Sequence, residues 1–289
     1  MSIYRGRFAP SPTGPLHFGS LFAAVISYLE ARHHNGSWLV RIEDIDPLRE
    51  KNNAATSIIQ TLHCHDLLPD EEPIFQSTRY TLYKQSLNLL LNKNIAYACA
   101  CSRKYLQTHQ GVHHDNCLKK CHELSQCALK FKTNVASEYS WYDEFQGQQA
   151  RILNDDFVLQ RKEGFYAYQL AVVCDDIDQN ISHVVRGFDL IDSTPMQLAL
   201  YHSLDQVPPK FSHFPVITFS NGQKLSKQNL APAVNNRLAL QNLLSIFTLL
   251  GLKLRHIPDN CKNALNEALE CWDTQFLVGK SELIPDSQA

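Results

Sequence analysis

Two segments far apart in the chain carry residues suited to holding phosphate. The first is RFAPSPTGPLHFGS, from Arg7 to Ser20. Gly14 and Gly19 let a backbone approach an anion closely. Pro10 and Pro12 hold the loop open before anything binds. His17 adds a side-chain donor, and a helix start just beyond it would offer backbone N–H groups to negative charge. The second is KLSK, where Lys224, Ser226 and Lys227 can clamp the charge on a transferring phosphoryl group. Taken singly, the first segment also reads as a plain turn and the second as a solvated loop. Taken together they predict a phosphoryl-transfer site with His17, Gly19 and Lys227 as its catalytic residues.

A third segment suits a metal. Five of the nine cysteines fall between Cys99 and Cys127. In CACSRKYLQTHQGVHHDNCLKKC, Cys99 and Cys101 form a Cys-x-Cys pair, with His113, His114, Cys117 and Cys121 a short loop away. In a reducing compartment such clustering reads as metal ligation before disulfides. Four Cys/His ligands suit a structural zinc ion. Thiols without a metal in an insertion are the alternative. Cys64, Cys174, Cys261 and Cys271 read as buried apolar residues, and His33, His34, His63 and His65 as surface residues.

The elements that must position these residues follow from periodicity and punctuation. Residues 3–8 and 38–42 suit strands, 18–33 a helix stopped by Asn35-Gly36, and 54–68 and 80–91 amphipathic helices. Alternating strands and helices predict a parallel α/β sheet. Residues 99–149 break that rhythm and read as an insertion. The α/β pattern resumes at Phe157, with 166–176 a helix or strand, HVVRG a strand, and a helix over 196–204 capped by Ser193 with Pro195 just inside. HFPVITF, 213–219, reads as a strand before the KLSK loop, and 237–272 as a small helical appendage.

Length and charge narrow the function classes. A chain of 289 residues allows one large or two modest domains. A net charge of -2 gives no global basic field for nucleic acid, so RNA contact needs a local patch such as Lys119, Lys120, Lys130 and Lys132. No apolar run spans a bilayer and the N-terminus lacks a signal-peptide pattern, so a cytoplasmic protein is expected.

RFAPSPTGPLHFGSL, RIEDIDP, AYQLAVVCDDI, VVRGFDL and KLSK run in that order from Arg7 to Lys227. They resemble the class I aminoacyl-tRNA synthetases of the glutamyl/glutaminyl subgroup, with HFGS and KLSK in the places of the HIGH and KMSKS motifs. The resemblance implies a Rossmann-like parallel sheet over 1–98 and 150–215, a zinc-binding insertion over 99–149, and a KLSK loop with a helical C-terminal region over 216–289. It implies ATP with Mg2+ as substrate, held by His17, Gly19, Ser20, Lys224, Ser226 and Lys227; Ser20 stands where HIGH ends in histidine. It implies L-glutamate held by Arg7, Phe8, Ala9, Pro10, Ser11, Glu43, Tyr168 and Arg186. An arginine grips a carboxylate through parallel hydrogen bonds, Glu43 accepts from the ammonium, and Tyr168 adds a hydroxyl. Glutamine would leave an arginine charge unpaired. Singly, Arg186 also suits a surface ion pair, Glu43 a solvated acidic turn, and Tyr168 the core.

The subgroup's zinc site has a tyrosine four residues before its third cysteine. Aligned on GVHHDNC, the resemblance implies Cys99, Cys101, His113 and Cys117 as ligands, with His114 or Cys121 as alternatives to His113. About sixty residues follow KLSK. That layout resembles the compact branch of the subgroup, whose members attach glutamate to queuosine in the anticodon of tRNA(Asp). The expectation is a monomeric enzyme of that type. A compact enzyme charging a tRNA 3′ end, a nucleotidyltransferase adenylating another small acid, and an inactive RNA-binding module are the alternatives.

Overall fold

The computed structural model describes residues 4–108, 127–133, 137–218 and 232–284. Its N-terminal unit is β1 (Arg5–Phe8), α1 (Phe18–His33) and β2 (Ser37–Ile42). β1 and β2 pair in parallel, Arg5 opposite Ser37 and Phe8 opposite Val40. α1 connects them, burying Leu21, Phe22, Val25, Ile26 and Leu29 against the sheet. Its stop is Asn35 in the left-handed region (φ 51°) followed by Gly36. A Cβ on Gly36 would sit 2.4 Å from the Tyr4 carbonyl oxygen, so only glycine lets the chain pass.

The chain continues through α2 (Ala54–Cys64), β3 (Ile74–Phe75), α3 (Tyr80–Asn92), β4 (Ala96–Cys99), α4 (Arg103–Thr108), β5 (Ala128–Phe131), β6 (Ser137–Asp143), β7 (Gly147–Leu153) and β8 (Val158–Gln160). It then forms α5 (Tyr168–Asp178), β9 (His183–Gly187), α6 (Thr194–Ser203), β10 (Lys210–Phe214), β11 (Val216–Ile217), α7 (Ala239–Leu249), α8 (Cys261–Glu270) and β12 (Glu282–Leu283). β3 extends the first sheet beside β2. A second sheet has the order β7-β6-β10-β9. β9, β10 and β6 are parallel, and β7 closes a hairpin with β6. The two sheets meet where the Ser182 N–H donates to the Arg5 carbonyl at 3.0 Å, which sets β1 alongside β9. β4, β5 and β8 form a small antiparallel sheet.

Several elements depart from the periodicity reading. α2 ends at Cys64, four residues early, because the chain turns at Asp66 (φ 57°). The strand expected over 213–219 is broken at Pro215, which has no N–H for a ladder. The stretch 166–176, open between helix and strand, is helix from Tyr168 onward, with Tyr166 bridged to Gln160. The stretch read as an insertion supplies β6 to the second sheet. Its alternating burial is carried by Tyr139, Trp141 and Asp143, polar enough to hide a strand. α7 and α8 share one core with α1 and the first sheet through Leu243, Phe247, Leu265 and Trp272.

His65 is buried, not superficial. Its Nδ1 lies 2.7 Å from the Thr61 carbonyl and its Nε2 3.0 Å from Asn242, tying α2 to α7. His34 stacks on Tyr4, which stacks on His183. Cys174 is buried as expected, Cys64 is exposed, and Cys261 and Cys271 are half-buried. Lys130 is buried, its ammonium 3.4 Å from the Asp156 carbonyl, while Lys119 and Lys120 lie outside the described residues. Among the described residues no helix is long and apolar enough to cross a membrane.

Candidate active site

A cleft of about 890 Å3 opens along the C-terminal ends of β1, β2 and β9. That is where an open parallel sheet takes ligands. Arg7, Phe8, Ala9, Pro10, Ser11, His17, Gly19, Ser20, Glu43, Tyr168 and Arg186 all line it. Each described residue of both predicted sets thus faces one cavity. Lys224, Ser226 and Lys227 lie outside the described residues. The segments flanking them reach the cleft. Ile217 is part of its wall, Ala233 bridges to His17, and the Val234 N–H donates to Leu16 at 2.9 Å.

His17 is the N-cap of α1. Its Nδ1 accepts from the Ser20 N–H at 3.2 Å, and its Nε2 lies 2.9 Å from the Ser20 hydroxyl. A neutral ring that accepts at Nδ1 carries its proton on Nε2, where the Ser20 hydroxyl is its partner. The first turn of α1 holds no acidic residue that would repel an anion. Serine in place of the motif's last histidine is thus a direct partner of His17.

The opposite wall is ionic and buried. Arg7 donates to Asp176 from Nε at 3.1 Å and Nη2 at 3.4 Å. Arg41, wholly buried, shares the same carboxylate at 2.8 Å. Burial pushes the Asp176 pKa up, but the adjacent Arg41 and Arg7 outweigh it and hold the group below its usual value. Asp175, one residue earlier, accepts from Gln76 at 2.7 Å, Arg79 at 2.6 Å and Tyr83 at 2.8 Å, pinning α5. Glu43 follows β2 directly. Burial raises its carboxyl from 4.5 to about 7 despite Arg41 and Arg7 nearby. Its Oε1 is buried without a hydrogen-bond partner, and the Arg41 Nη2 stays 3.9 Å away. A buried orphan acceptor beside a cleft is a seat for a donor from a ligand.

Arg186 projects from β9 into a cage. Its Nε donates to the His213 Nε2 at 2.9 Å, its Nη1 to Gln197 at 2.7 Å and its Nη2 to Thr194 at 2.9 Å. Tyr168, at the first turn of α5, is a further hydrogen-bond partner. Burial lowers the Arg186 pKa, yet five N–H groups and a permanent charge remain, enough to reach a ligand carboxylate as well.

Asp176, Arg41, His213 and Thr194 were not among the predicted site residues. Asp176 lies in the acidic pair of VVCDDI and Arg41 opens RIEDIDP, while nothing in the local sequence marks His213 or Thr194. Of the predicted zinc ligands, Cys99 is buried at the end of β4 and Cys101 is half-buried two residues on. His113 and Cys117, with His114 and Cys121, lie outside the described residues. Among the described residues, no group of three His, Cys, Asp or Glu could hold a metal.

Residues 4–284 match the family described as tRNA synthetases class I (E and Q), catalytic domain. The glutamyl-Q tRNA(Asp) synthetase of Vibrio parahaemolyticus is 41% identical over 293 residues, covering 99% of this chain and 98% of its own. That of Chromobacterium violaceum is 43% identical over 275 residues, covering 92% and 91%. A solved glutamate tRNA ligase from Elizabethkingia meningosepticum has the same fold, with a TM-score of 0.80 at 24% identity over 99% of this chain and 67% of its own.

Proposed function

We propose, from the premise that the chain belongs to the class I tRNA synthetases for E and Q, that it activates L-glutamate with ATP and transfers it to queuosine in tRNA(Asp). The observation that carries the amino-acid half is the buried orphan Oε1 of Glu43 beside two buried arginines in one cleft. Glutamate is the matching ligand. Its ammonium satisfies Glu43, and its carboxylates meet Arg7 and Arg186. Near-full-length relatives named for glutamyl-Q tRNA(Asp) support the acceptor.

In the first step a glutamate α-carboxylate oxygen attacks the α-phosphorus of ATP, and the bond to pyrophosphate breaks. The product is a mixed anhydride, glutamyl-adenylate. The His17 Nε2–H, the N-terminal N–H groups of α1 and the ammonium of Lys227 meet the phosphate charge that builds in the transition state. Gly19 keeps that approach open, while Ser20, Lys224 and Ser226 complete the phosphate contacts. Mg2+ accompanies the nucleotide and neutralises phosphate charge. In the second step a queuosine hydroxyl attacks the anhydride carbonyl and AMP leaves, giving an ester. Glutamine fails because its amide leaves an arginine charge unpaired in a buried site, a large penalty.

A structural zinc ion on Cys99, Cys101, His113 and Cys117 belongs to the same reading. Two thiols two positions apart, Cys99 at the end of β4 and Cys101 just beyond it, fit such a donor set. The ion would fix the segment that follows β4. The protein acts as a cytoplasmic monomer. The decisive experiment is transfer of labelled glutamate to tRNA(Asp) with and without queuosine. Labelling that requires queuosine supports the acceptor; equal labelling of both removes it and leaves the activation chemistry standing. Lys227→Ala that leaves glutamate-dependent ATP–pyrophosphate exchange intact removes the phosphate role of the KLSK loop.

A further inference from the structure

Two buried titratable residues, Asp143 and His213, do not line the cleft, yet their hydrogen bonds lead to Arg186, which does. The Asp143 Oδ1 accepts three backbone N–H groups, from Phe145 at 3.2 Å, Gln146 at 3.1 Å and His213 at 3.0 Å. Its Oδ2 is a close partner of the His213 Nδ1. Both side chains are wholly buried. Burial pushes the Asp143 carboxyl up, but the bonds from His213 and Gln146 outweigh it and keep the group ionised. A carboxylate is acceptor only, so His213 carries its proton on Nδ1. Nε2 is then a lone-pair acceptor, which is what the Nε–H of Arg186 needs at 2.9 Å. The other imidazole tautomer would set N–H against N–H.

The chain runs from β6 through β10 to β9, three neighbouring parallel strands. Phe211 backs it, its ring centroid 5.3 Å from the guanidinium carbon. Gln197 and Thr194 hold the two terminal nitrogens from α6. With Nε fixed, the plane of the guanidinium is fixed where Arg186 lines the cleft.

We propose that Asp143 and His213 are positioning residues. They lock the imidazole tautomer that aims Arg186, and so set affinity and selectivity for the glutamate carboxylate. This rests on the reading of Arg186 as a glutamate-binding residue. It gives a role in substrate choice to a carboxylate on β6, outside the strands that line the site.

The test is glutamate-dependent ATP–pyrophosphate exchange, with KM for glutamate, KM for ATP, kcat and the glutamate-to-glutamine preference measured separately. His213→Leu strands the Nε–H of a buried cation, and Asp143→Asn turns an amide donor toward Nδ1 and forces the wrong tautomer. Each is expected to raise KM for glutamate on the order of tenfold or more, with KM for ATP nearly unchanged. His213→Gln, whose Oε1 can still accept from Arg186, is expected to recover most of that loss. A thermal melt checks that each variant folds; if His213→Leu does not, the Asn and Gln variants decide. Arg186→Ala runs in parallel. If it raises KM for glutamate while Asp143→Asn and His213→Leu do not, the positioning role is wrong and the reading of Arg186 stands. If Arg186→Ala has no effect, both fall. KM values for glutamate and ATP that rise together point to general damage and also overturn the proposal.

Discussion

Glu43 joins stability to binding at the level of one carboxyl. Its pKa is pushed up to about 7 by burial, from an ordinary 4.5. The folded protein therefore holds a proton that the unfolded chain releases. Stability falls as pH rises from about 4.5 to 7, the reverse of a salt-bridged carboxylate. Glu43→Gln is expected to melt higher than the unmodified protein at pH 8, by on the order of 2 kcal/mol, with the difference closing near pH 5. Binding runs the other way, because the ammonium needs the carboxylate. KM for glutamate should fall as pH rises through about 7, and in the Gln variant it should be high and flat across that range. A KM profile of the unmodified enzyme with no inflection there would exclude Glu43 as the ammonium partner. Asp176 has the ordinary sign, with its stabilisation present above the unfolded pKa and lost as pH falls through the depressed folded one. Asp176→Asn leaves Arg7 buried without its ion-pair partner and takes one from Arg41, which keeps Asp175 at 3.8 Å; the cost is expected to be about 3–5 kcal/mol in urea unfolding at pH 7.

Elements place these groups by ending in the right spot. β1, β2 and β9 each deliver one charged residue to the cleft, Arg7, Glu43 and Arg186, and α5 begins there with Tyr168. The register of β1 on β2 depends on the turn at Gly36, where a Cβ would come within 2.4 Å of the Tyr4 carbonyl and 2.6 Å of its Cβ. Those are backbone-level clashes with nowhere to go. Gly36→Ala is expected to cost on the order of 1–3 kcal/mol in chemical denaturation. It should also weaken glutamate binding, because Arg7 moves with β1. Unchanged stability in that variant would mean the turn relaxes freely. At the other end of the same core, His65 joins α2 to α7 through Thr61 and Asn242. It contributes to packing far from the chemistry.

At the scale of the molecule the C-terminal helices are part of the core. Leu243, Phe247, Leu265 and Trp272 pack with α1 and the first sheet, and the Trp272 Nε1–H donates to Glu30 of α1 at 3.3 Å. A chain truncated after residue 236 would leave the outer face of α1 exposed. It is expected to be insoluble or to lose its cooperative melt, and a soluble, active fragment would contradict this packing. Trp272→Ala should cost about 3–5 kcal/mol by opening a cavity, with KM for both substrates unchanged in the folded fraction.

The chain itself determined the alternating frame and the cleft residues that sit next to strand ends or helix starts. Arg7, His17, Glu43 and Arg186 were legible because each lies beside a local signal, a Gly/Pro turn or an acidic run after an apolar strand. Tertiary structure alone decided the rest. Asp143 and His213 meet across 70 positions of sequence, and Arg7 meets Asp176 across 169. No local pattern encodes such pairs, because the first joins two neighbouring parallel strands and the second joins β1 to the helix α5 packed beside it. The polar alternation of β6 hid a strand whose place in the second sheet is set by the distant β10, and the helices at the end belong to the core only through apolar faces packed with α1. Periodicity reports which face of an element avoids water; it takes the packed sheet to report which element that face meets.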